Sequence, residues 1–203
     1  MLLEATTQTI IREISADLET PISVYMKLRG QGASFLLESV EGGERIARYS
    51  FIGVQPRAQY TIRGNEIEIS DSNGTRNTHH DGDPTYFLQE EMNRFRFAPQ
   101  PGVPRFIGGL VGYLGYESVR FFEPTLRSHM QYSTRNTPDG IYLLADTVIA
   151  FDHARRSLSS LRTCSMVMLN LPIASWMRSS RASISRFRPR NLVMYRHPRR
   201  ART

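Results

Sequence analysis

Cysteine is nearly absent: Cys164 is the only one in 203 residues. No intrachain disulfide can form, which excludes a small stapled extracellular fold. Long apolar runs are missing too. The charge-free apolar run Phe106–Tyr116 has 11 residues, four of them glycine, where a membrane-spanning helix needs about 20. Acidic Glu4 and polar Thr6-Thr7-Gln8 follow the start, so no secretory signal is readable, and the expected setting is soluble and cytoplasmic. Gly-x-Ser-x-Gly, His-Glu-x-x-His and Cys-x-x-Cys are all lacking, and with them the nucleophile elbow, the helical zinc site and the paired-thiol motif. No catalytic constellation can be nominated from spacing.

Lysine is equally scarce, with Lys27 alone against 25 arginines. The net charge of +7 averages two unlike pieces. Residues 1–152 hold every acidic residue and sum to −5, whereas residues 153–203 carry 12 arginines, nine serines and no acid. A mildly acidic domain is joined to an arginine-rich tail. Forty per cent apolar residues over this length suffice for a buried core without metals or disulfides.

Within the acidic piece, Ile10, Ile11, Ile14 and Leu18 lie at helical spacing, which predicts a helix over Thr7–Leu18 ended by Pro21. Ile22–Leu28 is rich in β-branched and aromatic residues and predicts a strand. Further strands are expected at Ser34–Val40 and Ile46–Val54, with a turn at Glu41–Glu44. A hairpin is expected from Gln59–Arg63 and Glu66–Ser70 around Gly64-Asn65. Asp71–Asp83 reads as a polar loop. Asp83 is a natural N-cap with Pro84 at the first helical position, and Leu88, Met92 and Phe95 mark one face of the helix that follows. Pro99–Pro104 is a linker, Pro124–Asp139 a loop, and Ile141–Phe151 one apolar strand. Strands outnumber helices and their connections are short, so the expected class is α+β, mostly antiparallel sheet with a few packed helices.

Three motifs could carry chemistry. FIGGLVGYLGYE (Phe106–Glu117) has glycines at 108, 109, 112 and 115 but no Lys-Ser/Thr pair. Close backbone approach, with Tyr113 and Tyr116 packing, explains it better than a phosphate cradle. HHDGD (79–83) crowds four potential ligands too tightly for tetrahedral metal geometry, and an exposed loop is expected. Glu38-Ser39 ends the apolar Phe35-Leu36-Leu37, which is either a strand-end turn or a polar cluster beside an apolar pocket. Arg48, Tyr49 and Ser50, one strand later, could face the same cluster.

ETPISVYMKLRG (19–30), SFLLESVEGGERIARYSFIG (34–53), RFIGGLVGYLGYESVRFFE (105–123) and PDGIYLLADTVIAFDH (138–153) together resemble the N-terminal domain of anthranilate synthase component I. The Gly-Gly-x-x-Gly-Tyr-x-x-Tyr-Glu block is shared with aminodeoxychorismate synthase component I. The full Leu-Leu-Glu-Ser with Arg-Tyr-Ser-Phe-Ile-Gly favours the anthranilate enzyme. That family converts chorismate, with glutamine, to anthranilate and pyruvate in tryptophan biosynthesis. The resemblance implies that residues 1–157 form its regulatory domain and that Leu37, Glu38, Ser39 and Arg48 line half of a tryptophan feedback pocket. A free ammonium would meet Glu38 and an indole the leucines. It also implies a glutamine amidotransferase (component II) as partner of the intact enzyme. Magnesium and the catalytic histidine would come from a chorismate-binding domain for which this sequence has no counterpart. The expectation for this chain is therefore no catalytic residue, no metal ligand, no cofactor, weak tryptophan binding and no activity alone.

The resemblance stops near Ser157. For residues 158–203 three readings compete: a basic arm for nucleic acid, a basic membrane-surface segment, and translation of a shifted reading frame of a GC-rich gene. Immediate loss of acids and of family likeness favours the last. Nucleic acid and membrane are not the expected partners, and a tail of this composition is expected to lie outside any packed core.

Overall fold

The computed structural model describes residues 7–30, 32–38, 48–95, 102–126, 137–165 and 191–195. The chain divides into two compact units, one comprising Met1–Gln55, Phe95–Gly108 and Asp146–Thr203, the other Pro56–Arg94 and Gly109–Ala145.

The first unit begins with a reversal of the local expectation. Thr7–Ser15 is a strand, β1, and Pro21–Leu28 a helix, α1. Ile11 packs on one face of the sheet and Ile14 on the other. A strand buried on both faces needs apolar residues at both parities, and the resulting spacing imitates a helix. Pro21 starts α1 rather than ending a helix, because the first helical position needs no amide hydrogen. Thr20 caps it: its Oγ1 accepts from the Ser23 amide at 3.1 Å, and Ser23 Oγ accepts from the Thr20 amide at 2.9 Å.

The remaining strands of this unit are β2 (Ser34–Leu37), β3 (Tyr49–Val54), β9 (Thr147–Asp152), β10 (Ser157–Ser165) and β11 (Asn191–Tyr195). They form one sheet in the order β11-β1-β10-β9-β3-β2, every neighbour antiparallel. On one face α1 packs Val24, Tyr25 and Leu28 against Ile52, Phe151 and Leu158. On the other, Val103 and Ile107 cover Ile11, Phe51, Ala150 and Leu161. Phe106 adds an edge-to-face contact with Phe51 at 5.2 Å. The sheet thus runs past the expected boundary at residue 157, since β10 lies within it between β1 and β9. Of the tail, only β10 and the β11 backbone lie among the described residues.

The second unit contains β4 (Ala58–Arg63), β5 (Glu66–Asp71), β6 (Gly74–His79), helix α2 (Pro84–Asn93), β7 (Gly109–Leu114), the single-turn helix α3 (Val119–Phe122) and β8 (Gly140–Ala145). Its sheet runs β6-β5-β4-β8-β7, again antiparallel. Tyr60, Ile62, Ile67, Leu88 and Leu144 are buried in it, each aliphatic one contributing about 1.5–3 kcal/mol by leaving water. Tyr60 donates to Glu91 Oε2 at 2.8 Å. Burial, then this carboxylate, pushes the phenol pKa well above its ordinary value. The hairpin at Gly64-Asn65 and the Asp83–Pro84 helix start are as expected, with Asp83 Oδ1 accepting from the Thr85 amide at 2.7 Å.

Three expectations fail here. The stretch Asp71–Asp83 contains the edge strand β6, which is exposed along nearly its whole length and so shows no alternation to read. The run Ile141–Phe151 is not one strand but parts of two, β8 and β9, broken at Asp146 and paired in different sheets. Within HHDGD, His80 is buried against Phe121, and its Nε2 donates to the Gly64 carbonyl at 2.9 Å.

Candidate functional site

The residues singled out from the sequence gather at one end of the first sheet, but not as expected. Leu37 is the last residue of β2, opposite Phe51 on β3, and is 43% exposed. Glu38 follows it and is exposed. Ser39 lies outside the described residues. Arg48, just before β3, is held by Asp152 at the end of β9. Its Nη2 donates to Oδ2 at 2.7 Å, and its Nε lies 3.2 Å from both oxygens. The backbone closes the same junction, the His153 amide donating to the Arg48 carbonyl at 2.9 Å. Arg48 also sits 5.0 Å from the centroid of the Tyr49 ring. Ser50 belongs to the opposite face, where its Oγ meets His153 Nε2 at 2.8 Å. Tyr49 and Ser50 therefore do not converge, because successive strand residues point to opposite faces, and Arg48, just before the strand, lies with Tyr49.

Asp152 is the residue that local spacing could not find. It is 5% exposed and accepts from the Ala154 and Arg155 amides at 3.1 and 3.2 Å besides Arg48. Burial alone would raise its pKa. The hydrogen bonds from Arg48 and the two amides outweigh burial, so the carboxyl lies below the ordinary aspartate range. A pKa lowered by folding contributes stability that is fully present above the unfolded value near 3.9 and is lost as pH falls through the folded one. Asp152→Asn is expected to cost about 1–2 kcal/mol at neutral pH, the Arg48 side being partly solvated. In urea titrations at several pH values the gap from wild type closes below about pH 4. A gap that stayed constant down to pH 2 would show that the charge of Asp152 is not what holds the junction.

Beside Asp152 opens a cavity of about 140 Å³. Ile11, Glu13, Tyr49, Val103, Asp152 and Ser157 line it, with Arg155 and Ser159 at its polar side. The strand register explains the grouping: Tyr49 faces Asp152, Asp152 faces Ser157, and Glu13 faces Ser159. Ser157 Oγ is buried with no hydrogen-bond partner, a state that costs about 1–3 kcal/mol unless water or a ligand satisfies it. Among the described residues no three His, Cys, Asp or Glu side chains come together as metal ligands. Nor is any helix among them long and apolar enough to cross a membrane.

The glycine-rich motif has its structural explanation in β7. A Cβ at Gly112 would lie 1.9 Å from the Ile141 carbonyl oxygen, so glycine is required by backbone approach and not by a phosphate. Tyr113 and Tyr116 do not pack as expected, being 46% and 92% exposed.

Two antiparallel sheets with short helices, one carrying a charged cluster and a small polar cavity at its end, define an α+β module with a site of small-molecule size. Comparison with known proteins narrows the class. The chain is 40% identical over 141 residues to anthranilate synthase component 1 of Pseudomonas putida, a match covering 70% of this chain and 29% of that protein. To the proteins of the same name from Neisseria meningitidis serogroup B and Acinetobacter calcoaceticus it is 39% and 36% identical, over 71% and 73% of this chain. A crystal structure of anthranilate synthase component I from Streptococcus pneumoniae TIGR4 is 23% identical, with a TM-score of 0.47 over 85% of this chain and 35% of that one. No protein-family profile matches. Over some 70% of its length the chain is homologous to proteins named anthranilate synthase component 1. It spans 29–31% of the length of these curated relatives.

Proposed function

We propose that this chain is the regulatory segment of an anthranilate synthase component I, carrying half of a tryptophan feedback site and having no synthase activity alone. The observation that carries this is the homology over 70% of the chain to proteins of that name, of which it spans under a third. The end of β2 supports it: Leu37 offers exposed apolar surface and Glu38 an exposed carboxylate, a pair suited to an indole and an ammonium. Ser39 completes the proposed half-site. Arg48 serves it at one remove, since its charge is already engaged by Asp152. Chorismate as substrate and a glutamine amidotransferase as partner belong to the intact enzyme, as does magnesium, for which the described residues offer no ligand cluster. No step is assigned to them in this chain. In the whole enzyme, tryptophan would favour the arrangement that binds chorismate poorly, and chorismate would weaken tryptophan by the same factor.

Calorimetry of the 203-residue chain with tryptophan tests this. Weak saturable binding is expected, because a small-molecule pocket buries about 70–90% of its ligand and a half-site cannot. Glu38→Gln should weaken it about tenfold, the scale of one charge-assisted hydrogen bond. Anthranilate fluorescence should stay at background with chorismate and ammonia. Tight binding indifferent to Glu38, or turnover by this chain, would sink the proposal.

A further inference from the structure

The cavity beside Asp152 holds chemistry that the Leu37–Glu38 half-site does not use. Ser157 Oγ, on a side chain more than nine-tenths buried, faces it without a partner. Glu13 on β1 and Arg155 in the β9–β10 turn bring a carboxylate and a guanidinium to the same space. Neither makes an ion pair among the described residues, although Asp152 nearby is fully engaged by Arg48 and two amides. Ile11 and Val103 close the other side with apolar surface.

Unlike, unengaged charges beside an orphan hydroxyl match a molecule that carries both charges itself. The apolar wall asks for a few carbon atoms on that molecule and no more. The volume suits such a molecule: a cavity of about 150 Å³ accommodates benzene, and this one measures about 140 Å³. We infer that the cavity binds a small zwitterionic amino acid, its ammonium held by Glu13 and Ser157 and its carboxylate by Arg155. This site is separate from the proposed tryptophan half-site, none of whose residues lines it. Ser157 and Asp152 are paired across the β9–β10 hairpin.

The test uses the full chain and calorimetric titrations with glycine, alanine, serine and tryptophan in turn. Saturable heat is expected with alanine or serine. Glu13→Gln and Arg155→Gln should each weaken it about tenfold, and Ser157→Ala less. Glu13 and Arg155 are exposed, so both variants should fold, which far-UV circular dichroism verifies. Glu38→Gln should leave the small amino acids unaffected. The inference is overturned if none of the three small amino acids gives saturable heat. It is equally overturned if the heat survives both charge variants, or if tryptophan displaces the small ligand and Glu38→Gln weakens both. That last result would merge the cavity with the half-site while leaving the tryptophan proposal standing.

Discussion

Gly112→Ala is expected to destabilise the second unit by about 3 kcal/mol or more, the upper end of what overpacking costs. The new methyl would sit 1.9 Å from the Ile141 carbonyl oxygen and 2.7 Å from the Tyr142 Cα. Both are backbone atoms of β8, and they cannot withdraw without opening the β7–β8 ladder that pairs Gly112 with Tyr142. Gly53 provides the contrast. A Cβ there would meet the Phe35 ring at 2.1 Å, but Phe35 sits on the edge strand β2 and can swing away, so Gly53→Ala should cost less, about 1–2 kcal/mol. Gly32, with nothing within 4 Å, is the control and should be nearly neutral. Urea unfolding of the three variants gives the order directly. A Gly112 variant as stable as the Gly32 variant would mean that β7 and β8 are not paired in this register.

What could be read in advance, and what could not, divides along local against distant causes. The β4–β5 hairpin was legible because Ile67 and Ile69 alternate with Glu66, Glu68 and Ser70 and only one face is buried. The start of α2 was legible because Asp83 and Pro84 cap and open a helix by themselves. β1 and α1 were misread in opposite senses, each for a reason that lies elsewhere in the chain. The helical spacing of Ile10, Ile11 and Ile14 comes from a strand covered on both faces. The β-branched look of ISVYMKL is overridden by the capping box and by Val24 and Tyr25 packing on the sheet. The joint between β8 and β9 was invisible because both strands are apolar and only Asp146 separates them.

The site divides in the same way. Resemblance pointed to Leu37, Glu38 and Arg48, and strand pairing puts Leu37 beside Phe51. The partner that fixes Arg48 is 104 residues away, and no spacing rule reaches that far. A weak signal existed: Asp152 is an acid closing an apolar strand, directly before a turn containing Arg155 and Arg156. Glu13 and Ser157 carried none, since their meeting depends wholly on the β1–β10 and β9–β10 registers.

Removing the chain after Arg156 is expected to abolish the fold of the first unit, whereas removing it after Ser165 is expected to leave that fold largely intact. Composition puts both cuts in the same arginine-rich tail, but the sheet distinguishes them. β10 lies between β1 and β9, pairing with β1 along its whole length and with β9 over Ser157–Arg162, so its loss separates β1 from β9 and uncovers Ile11, Ala150 and Ile107. Loss of β11 removes only an outer neighbour of β1. The single-residue version is Leu161→Ala: Leu161 is 0% exposed, and a truncation of that kind costs about 2–5 kcal/mol. The comparison also bears on the origin of the tail. A shifted reading frame joined near residue 157 can still supply a working central strand, because antiparallel pairing needs only backbone and a suitable leucine at the buried parity. Leu158 and Leu161 happen to fall one on each face, with Ser159 and Ser160 tolerated between them. Circular dichroism and urea midpoints for the two truncations and for Leu161→Ala test this together. If the chain ending at Arg156 keeps a cooperative transition equal to that of the full chain, β10 contributes nothing to the sheet and the module ends where the family resemblance does.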